Sequence, residues 1–331
     1  MNLEQVARRA KVSTATVSRV LNNASVVKTS TRARVLKAIE ELKYHPNLHA
    51  RNLAGGKSRT IGMILSNMEN PFFFDIYQTV EKDAHAAGFE VVVANTNYRS
   101  EQLVASIRLM IGRRVAGLAV VVSEMDPALM DELTDSKIPV VFYDVGAPRR
   151  NITNIRVNYR RGIDKIIDYL YSLGHRRLAF IGHHATLGPI NERVKTVLDA
   201  ASRYPDLDIR TAADDDTLDG GRLAARALLS GTHPTAILCV NDVMAVGALR
   251  ELRERGLRVP QDISVTGFDN VKLAEFCYPA LTTVHIPRDR IGHLICESLL
   301  AKSEHTEVAD HEMVIDPELV LRDSTGPAPA R

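Results

Sequence analysis

The pattern of apolar positions divides this chain near residue 60. Before that point apolar side chains recur three and four apart. Val6, Ala7 and Ala10 share one face of a short helix predicted over Leu3–Lys11, and Val17, Val20 and Leu21 share one face of a second over Thr14–Leu21. Ser13, just ahead of the second run, is placed to cap it. A third helix begins near Ser30, with Val35, Ile39 and Leu42 at i, i+4 and i+7. Beyond Thr60 the rhythm changes to short apolar runs: IGMIL, VVVA, VAGLAVVV, PVVFYD, RLAFIG, TAILCV and ISVTGF. Most are separated by helical patterns such as Phe72–Ala87 and Gly162–Leu173. Apolar strands alternating with helices predict parallel α/β architecture, and seven or more strands over roughly 270 residues suit two lobes better than one. The stretch Asn151–Arg161 reads as the crossover between them.

Charge sharpens this boundary. The whole chain of 331 residues carries a formal +2, which taken alone says nothing about partners. Residues 1–60, however, hold twelve basic against three acidic side chains, a net of +9, which leaves −7 for the remainder. A basic helical module on a larger acidic body points to a polyanion partner for the first segment. The bland alternative is a solvated helical surface. Composition is ordinary for a globular chain, at 45% hydrophobic and 25% charged. Cys239, Cys277 and Cys296 are far apart, so neither a disulfide framework nor a thiolate metal site is expected. No run is long enough for a membrane helix and MNLEQVARRAK lacks a signal-peptide pattern, so a cytoplasmic protein without membrane association is expected.

Three short helices with a tight second connection describe a helix-turn-helix. Residues 6–62 carry VA..A.VS..TVSRVLN, V...TR.RV..A...L.Y.PN and AR.L in order. In these pieces the chain resembles the DNA-binding head of the lactose-repressor (LacI) family. The resemblance implies that Thr14–Leu21 enters the major groove, with Thr14 and Ala15 choosing bases. Arg19 can donate to guanine or, alternatively, contact a phosphate. Thr16, Ser18, Asn22 and Thr31 suit phosphate contacts, with local capping as the alternative for Thr16 and Ser18. PNLHARNLA, residues 46–54, resembles the family's hinge helix, with Leu53 as an apolar minor-groove wedge and Ala50 and Arg51 along the same groove. Leu53 can equally be an ordinary packing residue. Gly56-Lys57-Ser58 mimics the end of a phosphate loop, but Arg51 stands where its first glycine is required, and that reading is rejected.

The resemblance continues through NPFF, LGHRRLAFIG, PTAILCVNDVMAVGALRELRERGLRVPQDISVTGFDN and PALTTVHIP. It implies an all-α helix-turn-helix head over 1–45 and a hinge helix with linker over 46–59. Residues 60–331 would then form an α/β two-lobed, periplasmic-binding-protein-like domain for effector binding and dimerisation. Its first lobe would be about 60–159 plus 289–320, and its second about 160–288 plus 321–331. Ligands bind such sheets beyond the strand C-termini. That rule selects Phe73, Asp144, Asn241 and Asp269, the resemblance adds Arg193, and Asn158 lies at the crossover. Each also has a structural reading: Phe73 as core, Asn241 and Asp269 as caps or turn formers, Arg193 as an ion pair.

This chain departs from the family where Lys195, Thr196 and Val197 replace the glycine–aromatic pattern after the arginine, and it has no tryptophan. Asp214-Asp215-Asp216 stands where some members place an aromatic over the ligand, and it reads as a solvated acidic loop, with a polar or cationic effector as the alternative. His183-His184 reads as a loop pair, without a metal. The expected function is a sequence-specific transcriptional repressor that binds a near-palindromic double-stranded DNA operator as a homodimer. A small-molecule effector, a sugar or related metabolite in the interlobe cleft, would control it. No enzymatic activity and no cofactor are expected. The alternative is a solute-binding protein without regulatory role.

Overall fold

A computed structural model describes residues 2–21, 26–44, 58–123, 125, 127–145, 151–184, 189–303 and 312–330. The chain forms two compact units, Met1–Ser58 and Arg59–Arg331. In the first, α1 (Leu3–Ala10), α2 (Thr14–Leu21) and α3 (Thr29–Glu41) enclose a small core of Val6, Ala7, Ala10, Val17, Val20, Val35 and Ala38. Asn2 and Gln5 form a reciprocal capping box on α1, and Lys11 ends it in the left-handed conformation. Ser13 caps α2 as expected: its Oγ accepts the Thr16 N–H at 3.2 Å. Arg9 and Glu41, 2.5 Å apart, tie α1 to α3 on the surface.

The second unit contains β1 (Thr60–Leu65), α4 (Pro71–Ala86), β2 (Glu90–Asn95), α5 (Ser100–Gly112), β3 (Gly117–Val121), α6 (Pro127–Asp135), β4 (Val140–Tyr143) and β5 (Ile152–Val157). The chain continues through α7 (Tyr159–Ser172), β6 (Arg177–His183), α8 (Pro189–Ala201), β7 (Asp208–Asp214), α9 (Leu218–Leu228), β8 (Ala236–Cys239), α10 (Asp242–Glu254) and β9 (Ser264–Thr266). It ends with α11 (Lys272–Phe276), β10 (Thr283–His285), α12 (Arg288–Ser303), β11 (Glu312–Ile315) and β12 (Glu318–Val320).

Two parallel sheets organise these elements. The first has the order β11-β5-β4-β3-β1-β2 and the second β7-β6-β8-β9, while β10 and β12 form a separate antiparallel pair. Both faces of the larger sheet are buried. Ile61, Met63 and Leu65 of β1 enter one core with Ala119, Val121 and Val141, whereas Ile64, Leu118, Val120 and Phe142 enter another. This two-sided burial is why the strands read as unbroken apolar runs instead of alternating ones. The chain returns to the first sheet late: α12 packs against α4, and β11 pairs with β5. In the second lobe α9 and α10 approach so closely that no side chain fits between them. A Cβ at Gly221 would stand 2.1 Å from the Met244 carbonyl oxygen, and one at Gly247 would stand 2.0 Å from that of Leu218.

The stretch 151–161, expected as a crossover, contains β5, paired between β4 and β11, and the first residues of α7. Its sequence ITNIRV conceals a strand because Thr153 and Asn154 are polar yet wholly buried. β7 was also missed. It is an edge strand with a largely exposed and half-buried pattern, so burial left little mark on DIRTAAD.

Candidate functional site

On the head, α2 turns Val17 and Val20 inward and presents Thr14, Ala15 and Arg19 to solvent. Thr16 and Ser18 are half-buried on the same helix, and the Thr16 hydroxyl lies 3.0 Å from that of Ser13. Thr31 is half-buried in the first turn of α3. Asn22, Ala50, Arg51 and Leu53 lie outside the described residues. The exposed face of α2 therefore carries small and hydrogen-bonding side chains with one guanidinium, on a strongly basic unit. That arrangement suits the edge of a polyanion groove.

In the second unit a cleft of about 450 Å³, its mouth included, opens where the C-terminal ends of the two sheets converge. From the first sheet it is lined by Asn70, Phe72, Phe73, Tyr98, Ser123 and Tyr143, and from α7 and the second lobe by Tyr159, His183, Arg193, Asp216, Val240, Asn241 and Asp269. Nearly all of these residues directly follow a strand or open a helix, as parallel sheets dictate.

Four expected residues meet here: Phe73, Arg193, Asn241 and Asp269. Phe73 packs edge-on against Phe72, at 5.4 Å between ring centres. Arg193 donates from Nη1 to the Val240 carbonyl at 2.9 Å, and its guanidinium lies 4.1 Å from the Tyr159 ring centre. Burial opposes the Arg193 charge, but Tyr159, Asp269 and Tyr143 outweigh it and hold the group cationic. Burial also pushes Asp269 well above the usual carboxylate range, and Arg193 pulls it partly back. Asn241 caps α10 by accepting the Met244 N–H at 2.9 Å. Two polar atoms of this wall, Arg193 Nε and Asp269 Oδ1, are buried with no hydrogen-bond partner. An unsatisfied buried polar group costs roughly 1–3 kcal/mol, and more when charged, so they read as groups awaiting an occupant.

Asp144 and Asn158 stand outside the wall. Asp144 accepts the Val157 N–H at 2.7 Å and the Tyr159 hydroxyl, so its carboxylate is turned into the lobe, with a pKa raised to about 6 by burial. Its task is to hold Tyr159, which does line the cleft. Asn158 caps α7 through the Arg161 N–H at 3.2 Å and donates to Asp316 at 3.1 Å.

The acidic loop is not solvated throughout. Asp215 is exposed, but Asp216 is 5% exposed and reaches across the cleft. Its Oδ2 accepts from the Tyr98 hydroxyl at 2.5 Å and from Asn70 Nδ2 at 3.2 Å, both on the first lobe. Its Oδ1 accepts from Asn241 Nδ2 in its own lobe, and its carbonyl from Asn67 Nδ2 at 3.4 Å. Tyr98 also lies 4.7 Å from the His183 ring, whose pKa burial lowers. Tyr98 holds a φ of 58°, and Asp269 one of 100°. Such backbone strain, of order 1–3 kcal/mol at a non-glycine residue, concentrates at functional sites. Tyr98 and Tyr159 escape motif reading, one following an edge strand and the other opening a helix, whereas Asp216 corrects the reading of its loop as solvated.

Beneath the wall, Asp242 is wholly buried and accepts from the Val271 N–H at 2.7 Å and the Thr283 hydroxyl at 2.6 Å. Burial raises its pKa to about 7, from an ordinary value of 3.8. Between those values the folded chain keeps a proton that the unfolded chain has lost, so this group's contribution to stability falls as pH rises through the window. Relative to the native protein, Asp242→Asn should therefore gain about 5 °C in melting temperature between pH 5 and pH 8.5, since Thr283 can turn to accept from the amide. A difference that stays constant across that range would contradict the raised pKa.

Residues 2–47 match the model of bacterial regulatory proteins of the lacI family, and residues 167–325 match that of the periplasmic binding protein-like domain. The HTH-type transcriptional repressor PurR of Vibrio campbellii is 34% identical over 97% of this chain and 98% of its own length. The chain belongs to the LacI family. PurR of Erwinia tasmaniensis is 35% identical over 99% of this chain and 98% of that protein. The lac repressor dimer bound to operator and the anti-inducer ONPF superposes with a TM-score of 0.84 at 29% identity, covering 98% of this chain and 99% of that one. A LacI-family regulator from Silicibacter pomeroyi gives 0.86 at 26% identity over the same shares. This LacI-family chain is a DNA-binding transcription regulator built from a helix-turn-helix head and a parallel α/β body. Among its described residues no helix is long and apolar enough to cross a membrane.

Proposed function

We propose that the chain is a cytoplasmic, non-enzymatic repressor that binds a near-palindromic operator as a homodimer and is switched by an uncharged polyhydroxylated small molecule in the cleft. Residues 1–45 form the head in this reading and 46–59 the hinge, with lobes of about 60–159 plus 289–320 and 160–288 plus 321–331. Thr14, Ala15 and Arg19 read bases, while Thr16, Ser18, Asn22 and Thr31 hold phosphates. Ala50, Arg51 and Leu53 serve the minor groove. Phe73, Arg193, Asn241 and Asp269 receive the effector, assisted by Asp144 through Tyr159. The observation that carries the switch is the pair of unpartnered polar atoms, Arg193 Nε and Asp269 Oδ1, in the wall of a cleft between two lobes. One is a donor and the other belongs to a carboxyl, which together suit hydroxyl groups that both accept and donate. The effector can shift the lobes only by its differential affinity for their arrangements.

The test is selection of duplexes from a random pool by the full-length chain. A two-fold symmetric site should emerge, bound by a dimer. Its affinity should fall by about a thousandfold between 50 and 200 mM salt, as six or more phosphate contacts require. An asymmetric site bound by a monomer, or salt-insensitive binding, would refute the reading.

A further inference from the structure

The cleft carries its charges unevenly. Arg193 and Asp269 line the cleft together, and each acts on the other electrostatically. Asp216 is held differently. Its carboxylate oxygens are bound by a phenol and two carboxamides, from Tyr98, Asn70 and Asn241, and none of these donors carries charge. Neutral donors fix the position of a carboxylate without cancelling its charge. The two asparagines are themselves immobilised, since Asn70 Oδ1 caps α4 through the Phe72 N–H at 3.0 Å and Asn241 caps α10. Asp216 is thus pinned from both lobes by the caps of two helices. A carboxylate has about four acceptor positions, and three are taken by these side chains, which leaves one for an occupant of the cleft. Asp216 raises the energy of the ionised form of Asp269, which places a second acid within electrostatic reach.

We propose that Asp216 sets the charge specificity of this cleft: as a carboxylate fixed by neutral donors in the seam between the lobes, it accepts a hydroxyl from an uncharged polyol and turns away molecules bearing carboxylate or phosphate. The proposal rests on the reading of the cleft as the effector site. It gives the chain's departure from its family at Asp214–Asp216 a chemical consequence. An acceptor with a charge selects by donor capacity, where an aromatic platform would select by ring face. A single Arg193 does not offset this for an anion, because its Nη1 is committed to Val240 and its plane rests on Tyr159.

The experiment measures dissociation constants of the full-length protein for matched pairs: D-xylose against D-xylonate, D-galactose against D-galactonate, and D-ribose against ribose 5-phosphate. At least one neutral sugar should bind, with its charged counterpart weaker by 100-fold or more. Asp216→Asn keeps the shape and removes the charge, and should narrow that ratio below 10-fold. Asp216→Ser serves as a second variant, and circular dichroism confirms that each folds. A native protein that binds the charged member of a pair as tightly as the neutral one overturns the proposal, as does an unchanged ratio in both variants. Failure of every neutral and charged probe to bind the native protein removes the polyol reading of the cleft itself, and this proposal with it.

Discussion

Alanine at position 269 should weaken effector binding by about 100-fold. The expectation follows from the arrangement of Arg193 and Asp269 in the cleft wall. Asp269 is 3% exposed, and its Oδ1 is buried without a partner. Leaving a buried polar partner unsatisfied costs about 1–3 kcal/mol, which spans roughly 5- to 150-fold in affinity. The loss should fall toward the upper end because truncation also strips Arg193 of a carboxyl that acts on it electrostatically. The measurement is a calorimetric titration of the neutral sugar that binds the native protein, repeated with Asp269→Ala and Asp269→Asn. The asparagine variant should recover part of the loss, since it retains an acceptor. Native affinity in the alanine variant would remove Asp269 from the site.

Arg19→Ala should weaken binding to the selected operator by 10- to 100-fold while changing affinity for a scrambled duplex far less. Arg19 is exposed on α2, whose opposite face is anchored by Val17 and Val20, so truncation should leave the head folded. A bidentate contact to guanine is worth about 1–3 kcal/mol of discrimination. A phosphate contact would instead reduce both affinities alike and flatten the salt dependence by about one unit of slope. Fluorescence anisotropy with both duplexes distinguishes the two. Parallel losses on operator and scrambled DNA would reassign Arg19 to the backbone.

Much of this architecture is legible before any coordinates. Helical spacing marked all three head helices because only one face of each is buried. The inner strands of both sheets stood out because burial on two faces excludes polar residues from them. The wall residues Phe73, Asn241 and Asp269 were legible for a geometric reason: parallel strands deliver whatever follows them to the same edge. That rule does not say which way a side chain turns. Asp144 follows β4 as expected, yet its carboxylate is claimed by Val157 and Tyr159. Asn158 is consumed by its helix cap. Asp216 was obscured by its neighbours, because a run of three aspartates looks solvated when only one of them is buried by donors from elsewhere. Tyr98 and Tyr159 belong to no motif; Tyr98 meets Asp216 from far along the chain, and Tyr159 is held by Asp144 from a neighbouring strand end.

The late return of the chain to its first sheet bears on the order in which the molecule can be made. Strands β6 to β9 lie within residues 177–266, so a ribosome delivers the second sheet as one continuous stretch. The first sheet waits for Glu312–Ile315, and its helix Arg288–Ser303 is almost as late. The sheet begun first therefore gains its last strand after all four strands of the second have been made, with β5 an open edge until nearly the whole protein has emerged. An early stop after residue 303 would yield the four strands of the second sheet attached to an unsealed first one. Nascent chains should then need shielding at that edge during the last stage of translation.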